Sequence, residues 1–283
     1  MSVQQKSFQI GSLSLVAQSW RLESCSKATP VLALHGWLDN SASFELLADQ
    51  LKAPLMALDL AGHGQSSHRS SDSSYNLWLD VDEVLQVANQ LGWKQFSLLG
   101  HSRGAMISVL LAAVAPERVA KVALIDGLVP FPVPEDQVVD QLRRAIQEKH
   151  RFAQRKRRRY PTFKEIAETR LKGDFPLSEN SAMLMAKRGT QEDENGFYWS
   201  ADPRLQAASE VKFTEGQLRS FLTSIQAPVQ LYLARRGMGR LIERFAAMWQ
   251  LVERGERIDL EGGHHLHMDG ATGEIAESLN RFF

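Results

Sequence analysis

A strand that runs directly into a helix through the pattern Gly-x-Ser-x-Gly is the feature that most constrains this chain. Residues 96–99 are strand-like, residues 100–104 read GHSRG, and an apolar helical segment follows. In such a turn, called a nucleophile elbow, the serine (here Ser102) adopts strained backbone angles that hold its hydroxyl above the sheet. Gly100 and Gly104 flank it because a side chain at either position would collide with the neighbouring strand or helix. The positive N-terminal end of the helix points at Ser102, where it would stabilise an oxyanion.

Short apolar runs alternate with amphipathic helical segments along most of the chain. Strands that are apolar on both faces belong inside a parallel sheet covered by helices. The alternation therefore predicts an α/β fold with a doubly wound, mostly parallel sheet, preceded by a hairpin over residues 8–20. The predicted core strands are 30–34, 55–58, 96–99, 122–125, 229–233 and 257–260.

The alternation stops between residues 128 and 227, where no convincing core strand is present. Three prolines at 130, 132 and 134 mark an exit from the sheet domain. We predict a hydrolase-type core over 1–127 and 228–283, and an all-helical lid (cap) over 128–227 that covers the carboxyl edge of the sheet, where such folds bind ligands. A basic run, 155–159 (RKRRR), falls on a predicted lid helix over 135–159, and we interpret it as a solvated face rather than a nucleic-acid site.

Composition excludes several classes of partner and site. Of the 283 residues 43% are hydrophobic, which is ample for a large core, and 33 basic residues balance 33 acidic ones. A net charge of zero gives no argument for nucleic acid or an anionic membrane. A single cysteine, Cys25, excludes an intramolecular disulfide. Because the N-terminus lacks a signal-peptide layout and no run approaches ~18 apolar residues, we expect a cytoplasmic monomer or homodimer without a membrane span.

A serine nucleophile needs a base within hydrogen-bond reach, and the base needs an acid that orients it. Residues 261–269 (EGGHHLHMD) follow the last predicted strand and would lie at the same sheet edge as Ser102. We select His264, the first histidine after the Gly-Gly turn, with His265 and His267 as alternatives, and expect the other two to be hydrogen-bonded loop residues. A metal site is not predicted, because adjacent histidines cannot easily converge on one ion and no matched ligand set is evident elsewhere.

The acid is predicted to be Asp126, which ends the strand that follows the elbow unit, with Glu243 as the fallback. The oxyanion needs two backbone donors, for which we select the N–H groups of Arg103 and Trp37. The Arg103 side chain would either recognise a substrate carboxylate or pair with an acid of the lid. Three other loop histidines are expected to bond loop carbonyls and serve structure: His35, His63 and His101.

Assembled in this order, four segments resemble the α/β-hydrolase superfamily along essentially the whole chain: 35–37 (HGW) as its oxyanion loop, 59–66 (DLAGHGQS), the elbow 100–104, and 263–264 (GH) as its histidine loop. Residues 34–40, 202–204 (DPR) and 262–269 look most like the serine hydrolase-like (kraken-type) group. The superfamily usually places its acid after the strand over 229–233, but 234–239 (ARRGMG) contains no carboxylate. Some members, haloalkane dehalogenases among them, take the acid from the strand after the elbow, and Asp126 matches that arrangement.

The sequence therefore predicts a serine hydrolase that cleaves a small carboxylic ester, or a related acyl substrate, through an acyl-enzyme on Ser102. No metal or organic cofactor is implied. The alternative is a weak or inactive member that binds a ligand or a partner protein. Aromatic residues of the lid would shape an apolar acyl pocket: Phe152, Phe163, Phe197, Tyr198 and Trp199.

Overall fold

A computed structural model describes residues 3–23, 28–238 and 246–283. In these residues eight strands form one sheet: β1 Gln4–Ile10, β2 Leu13–Trp20, β3 Val31–Leu34, β4 Leu55–Leu58, β5 Phe96–His101, β6 Val119–Ile125, β9 Val229–Arg236 and β10 Gly255–Gly263. Their order across the sheet is β1-β2-β4-β3-β5-β6-β9-β10. The β1–β2 and β2–β4 pairs are antiparallel, and all the later neighbours are parallel. The predicted α/β fold and the N-terminal hairpin are confirmed.

Helices cover both faces of the sheet. The described helices are α1 Glu45–Ala48, α2 Leu77–Gln90, α3 Arg103–Val114, α4 Val138–Ala153, α5 Phe163–Glu168, α6 Glu179–Gly189, α7 Glu215–Thr223, α8 Ala246–Trp249 and α9 Thr272–Phe282. Along β3, Leu32 and Leu34 face one apolar cluster with α2, α3 and α7, whereas Val31 and Ala33 face the other cluster with α1 and α9. This two-sided burial explains why the core strands are continuous apolar runs. Among the described residues no helix is both long and apolar enough to cross a membrane.

The elbow between β5 and α3 forms as its glycines require. A Cβ on Gly104 would overlap the carbonyl of Leu34 in the neighbouring strand. A Cβ on Gly100 would lie 2.5 Å from the carbonyl oxygen of Gly104. Only glycine allows strand and helix to approach this closely.

The segment between β6 and β9 is not entirely helical, so that prediction is wrong over 190–199. Two four-residue strands, β7 Thr190–Asp193 and β8 Gly196–Trp199, form a separate antiparallel hairpin beside α4 to α7. The turn contains Asn195 and Gly196, and Gly196 has φ +109°, a conformation that glycine adopts without steric cost. An Asn-Gly pair is a strong hairpin signal, and here it outweighs the helical surroundings.

The basic run also differs from its prediction, because α4 ends at Ala153 and residues 155–159 form a non-helical segment. The chain is extended at Tyr160, whose N–H donates to the carbonyl of Phe197 at 2.9 Å and whose carbonyl accepts from the Phe197 N–H at 2.8 Å. Pairing with the β7–β8 hairpin therefore overrides the helical tendency of this segment. The basic residues 155–159 directly precede this bridge.

One buried ion pair and one buried hydrogen bond tie the 128–227 segment to the sheet domain. Arg188 at the end of α6 donates from Nε to Asp59 Oδ2 at 2.9 Å, and Asp59 is fully buried in the loop after β4. Asp202 accepts from Arg204 and from the hydroxyl of Tyr75 at 2.7 Å. Both contacts fix the segment against loops at the carboxyl edge of the sheet, which is the edge that carries Ser102.

Candidate active site

Ser102 is the single residue between the end of β5 and the start of α3, and its backbone angles are φ 50° and ψ −110°. These are the strained angles expected of a nucleophile elbow. The Ser102 N–H donates to the carbonyl of Ile125 at 2.9 Å, and its carbonyl accepts from Ala105 at 3.1 Å and Met106 at 3.2 Å. The backbone is therefore held on both sides while the side chain stays partly exposed.

His264 and Asp126 meet at the same edge of the sheet although 138 residues separate them. His264 Nδ1 lies 2.6 Å from Asp126 Oδ2, and both side chains are buried. Asp126 directly follows β6 and His264 directly follows β10, so the two parallel strands bring them together. In the part of the chain that the structure describes, the Ser102 hydroxyl has no hydrogen bond to His264. Such catalytic bonds are often long in unliganded enzymes and tighten when substrate binds.

Backbone N–H groups near the end of β9 and in the turn after it hold the Asp126 carboxylate. Asp126 accepts from the N–H of Ala234 at 3.1 Å and from the N–H of Met238 at 2.7 Å. A Cβ on Gly237 would overlap Asp126 Oδ2, so glycine is what lets this loop close around the carboxylate. The superfamily usually draws its acid from this loop, whereas here the loop supplies donors to an acid on the neighbouring strand.

Burial keeps His264 ready to accept a proton. Desolvation lowers the pKa of His264 from its ordinary value, and the hydrogen bond to Asp126 opposes that shift without cancelling it. The imidazole is therefore neutral near pH 7 and able to act as a base. The ring of Phe175, from the segment between α5 and α6, covers His264 at a centroid distance of 4.3 Å. Sequence reasoning missed Phe175, because nothing local indicates that this segment returns to the site.

The two predicted oxyanion donors lie at the carboxyl ends of neighbouring strands. Arg103 is the first residue of α3, so its N–H has no acceptor within the helix. Trp37 follows β3 in a turn where Leu38 has φ 58°, and its indole N–H donates to the carbonyl of Leu205 at 2.8 Å. The N–H of Leu38 donates to His63 Nε2 at 3.3 Å, which orients the turn.

The Arg103 side chain pairs with an acid of the sheet domain rather than with the 128–227 segment. It donates to Asp80 at 2.5 Å, and Asp80 belongs to α2 of the sheet domain, so a lid partner is the wrong assignment. Asp80 also binds Arg69, which pairs with Glu83. Burial raises the pKa of Glu83 to about 7, although Arg69 opposes the shift. This buried network anchors the first turn of the elbow helix.

A second buried cluster, formed by Asp39, His101 and His265, holds the loop that carries His264. His101 Nε2 donates to the carbonyl of His264 at 3.0 Å, while Asp39 lies 3.4 Å from His101 Nδ1 and 3.2 Å from His265 Nε2. Burial favours the protonated acid, but His265 and Arg170 outweigh it and hold the pKa of Asp39 well below its usual value.

The ligand atoms of Asp39, His101 and His265 lie within 4.8 Å of one another, a spacing that sequence reasoning did not foresee. The second oxygen of Asp39 is already bound to the Arg170 guanidinium at 2.6 Å. Arg170 therefore supplies the positive charge that a metal ion would bring to this carboxylate.

The remaining histidines differ in whether their ring nitrogens have hydrogen-bond partners. His35 and His63 contact loop carbonyls at 2.8 and 3.1 Å, and these two structural assignments are confirmed, as is His101. His267 was expected to be hydrogen-bonded, but in the described chain neither ring nitrogen has a partner. Burial lowers its pKa well below the usual value, so the ring is neutral, and it packs beside Phe44 at a centroid distance of 5.5 Å. The fallback acid, Glu243, lies outside the described residues.

Comparison with known proteins supports the same assignment. Residues 29–271 match the family model of the alpha/beta hydrolase fold. The chain is 31% identical over 257 residues to the serine hydrolase-like protein of zebrafish (Danio rerio), covering 86% of this chain and 78% of the relative. It superimposes on the hypothetical protein PA1622 from Pseudomonas aeruginosa PAO1 with a TM-score of 0.91 and 38% identity, covering 99% and 97% of the two chains. The thioesterase domain from the curacin biosynthetic pathway gives a TM-score of 0.85 and 27% identity, covering 99% of both.

The family match spans most of the chain and agrees with the sheet order, and the relatives support hydrolase chemistry in general. The chain therefore belongs to the α/β-hydrolase family and, within it, to the serine hydrolase-like proteins.

Proposed function

We propose that this protein is a serine hydrolase that cleaves a small carboxylic ester or a related acyl substrate through an acyl-enzyme on Ser102. The observation that carries the proposal is the 2.6 Å contact between His264 Nδ1 and buried Asp126, at the sheet edge that also carries the elbow serine. A carboxylate on Nδ1 fixes the tautomer that leaves Nε2 free to accept a proton.

The reaction proceeds in two halves. Ser102 Oγ attacks the substrate carbonyl and passes its proton to His264 Nε2, while the N–H groups of Trp37 and Arg103 bind the resulting oxyanion. Collapse of the intermediate breaks the bond to the leaving group, which takes the proton from His264. Water then attacks the acyl-enzyme, gives one proton to His264, and releases the acid as Ser102 recovers its hydrogen.

We assign the 128–227 segment the role of a cap over this site. Phe175 stands against the His264 ring, and the Arg188–Asp59 pair fixes α6 to the sheet domain. The predicted acyl pocket draws on aromatic residues of the same segment, of which Phe163 and Phe197 stack edge to face at 5.9 Å. A monomer or homodimer in the cytoplasm stays a prediction of the sequence.

Thioesters are the second substrate class to test. The 27% identical thioesterase domain, aligned over 99% of both chains, favours them. The same serine, histidine and oxyanion donors serve either class, because both substrates pass through a tetrahedral intermediate.

The deciding experiment measures intact mass after treatment with a fluorophosphonate, which phosphonylates only an activated serine. We expect one adduct on the natural protein and none on Ser102→Ala, with hydrolysis of short activated esters lost in the same variant. An unmodified natural protein would instead support the non-catalytic alternative, a ligand- or partner-binding member of the family.

A further inference from the structure

A cavity of about 360 Å³ opens beside the oxyanion turn, on the side of the 128–227 segment. Leu38, the residue after Trp37, forms part of its wall, and Arg170, which pairs with Asp39, forms another part. The volume is within the range of small-molecule sites. The cavity is therefore placed to receive the end of a substrate whose carbonyl lies at the Trp37 N–H.

The wall of this cavity is strongly basic in a protein whose net charge is zero. Arg155, Lys156, Arg157 and Arg158 all contribute to it, from the non-helical segment after α4. Arg155, Lys156 and Arg158 are exposed, as the predicted solvated face requires, but together with Arg157 they also line one concavity.

These four side chains have no carboxylate partner among the residues that the structure describes. Arg155 Nη1 donates to the amide oxygen of Gln206 at 2.7 Å, and Arg157 lies over the ring of Tyr198 and Arg158 over that of Tyr160. The next arginine in the run behaves differently, since Arg159 is paired with Asp193 at 2.7 Å.

The acidic group in the wall is already neutralised. Asp202 pairs with Arg204 at 2.7 Å, so it does not offset the basic run. Unpaired cations that face one concavity repel one another and create a positive potential that attracts a multiply charged anion. Guanidinium groups are suited to phosphate, because their planar donors bind its oxygens in pairs.

We propose that this cavity binds the phosphorylated end of the acyl substrate, so that the protein prefers esters or thioesters that carry a diphosphate or several phosphate groups. Tyr160 and Trp199, also in the wall, offer apolar surface to the unphosphorylated part of the same group. The inference rests on the proposed function for its link to turnover, but the anion site itself does not require an active serine.

The binding test uses Ser102→Ala, so that its result is independent of catalysis. Inorganic pyrophosphate and coenzyme A are titrated by calorimetry at low salt, with pantetheine, which lacks the phosphates, as the comparison ligand. We expect coenzyme A and pyrophosphate to bind, with affinity that falls as salt rises, and pantetheine to bind at least tenfold more weakly than coenzyme A. Absence of binding by both phosphorylated probes would overturn the proposal.

A charge-removing variant locates the site. In the Ser102→Ala background, Arg155→Gln with Arg158→Gln should weaken coenzyme A binding at least tenfold. The matched control is Arg281→Gln, an exposed arginine at the end of α9 whose partner is Glu277. Equal affinity in the double variant and the control would place the anion elsewhere and refute the assignment.

Turnover provides the second readout in the natural background. The ratio of kcat/KM for a short acyl coenzyme A to kcat/KM for the corresponding nitrophenyl ester should fall at least tenfold in the double variant, through KM, and stay unchanged in Arg281→Gln. An unchanged ratio in the double variant contradicts the proposal. If the natural protein forms no fluorophosphonate adduct but still binds coenzyme A, the proposed reaction is refuted and the proposed anion site is not.

Discussion

At the scale of single residues, the unusual feature is the acid. Asp126 is fully buried, has a positive φ of 43°, and accepts two backbone N–H bonds as well as the imidazole of His264. Three donors hold one carboxylate in a single orientation. A side chain so restrained is suited to orient a base in catalysis.

Asp126→Asn should lower kcat for activated esters by about 10³- to 10⁴-fold, because an amide can hold the wrong histidine tautomer while leaving the geometry intact. The measurement is steady-state hydrolysis, with circular dichroism to show that the variant is folded. Asp259→Asn, at an exposed position of β10, is the control and should keep full activity. A loss below about tenfold in Asp126→Asn would transfer the role of the acid to Glu243.

Gly237→Ala tests the same carboxylate without changing a charge. The new Cβ would overlap Asp126 Oδ2, so either the loop or the carboxylate must move. We expect kcat to fall at least tenfold, since small displacements of a catalytic group are costly. Gly216→Ala in α7 is the matched control, because nothing lies within 4 Å of a Cβ there. Equal activity of the two variants would show that the contact with the Gly237 loop does not matter.

At the scale of elements, the sequence predicted what is determined locally. Strand β4 begins and ends at the predicted residues 55 and 58, and β3 differs by one residue, since runs that are apolar on both faces have few alternatives to a buried strand. Ser102, His264 and Asp126 could be placed at one edge because each follows a parallel strand.

The contributions of the 128–227 segment to the site could not be predicted from the sequence, because they depend on tertiary docking. Phe175 and Arg170 reach the site from a segment whose path is set by distant contacts such as Arg188 with Asp59. The basic run shows the same limit, since its pairing with the hairpin at Tyr160 decides its conformation rather than local helix propensity.

The Arg188–Asp59 pair should be a main anchor of α6. Arg188→Leu leaves the fully buried carboxylate of Asp59 without its cation, and we expect the free energy of unfolding to fall by about 3–5 kcal/mol. The control is Arg144→Leu, whose exposed pair with Glu148 in α4 should cost at most about 0.5 kcal/mol. Urea unfolding measures both. Similar losses in the two variants would contradict an anchoring role.

At the scale of the whole molecule, the buried histidines link folding to pH. Burial lowers the pKa of five histidines in the folded state, while in the unfolded chain each titrates near 6.5. The unfolded state therefore binds more protons below pH 6.5, and stability that is complete above 6.5 is lost as the pH falls. The five are His35, His63, His101, His264 and His267.

Of two buried acids, Glu83 acts against the histidines, and Asp39 acts in the same direction as they do but at lower pH. The pKa of Glu83 is about 7 in the folded state and about 4.5 in the unfolded chain. Between these two values the folded state holds a proton that the unfolded state releases, so acidification increases stability through Glu83. This gain offsets the loss of stability caused by one histidine. Asp39 has a lowered pKa, so its contribution is lost only below its ordinary value of 3.8. Between pH 6.5 and 4.5 the histidines dominate, and stability should decrease on acidification.

Each histidine contributes at most about 1.4 kcal/mol per pH unit, so the free energy of unfolding should fall by several kcal/mol between pH 6.5 and 5. Urea unfolding across this range measures the slope. His267→Leu should lower that slope by up to about 1.4 kcal/mol per pH unit, since it removes one buried imidazole whose ring nitrogens have no partner in the described chain. Val139→Ala, at an exposed position of α4 that carries no titratable side chain, should leave the slope unchanged. A free energy of unfolding that does not change between pH 6.5 and 5 would mean that the fold does not keep these imidazoles neutral. The argument that His264 is unprotonated and able to act as a base would then fail.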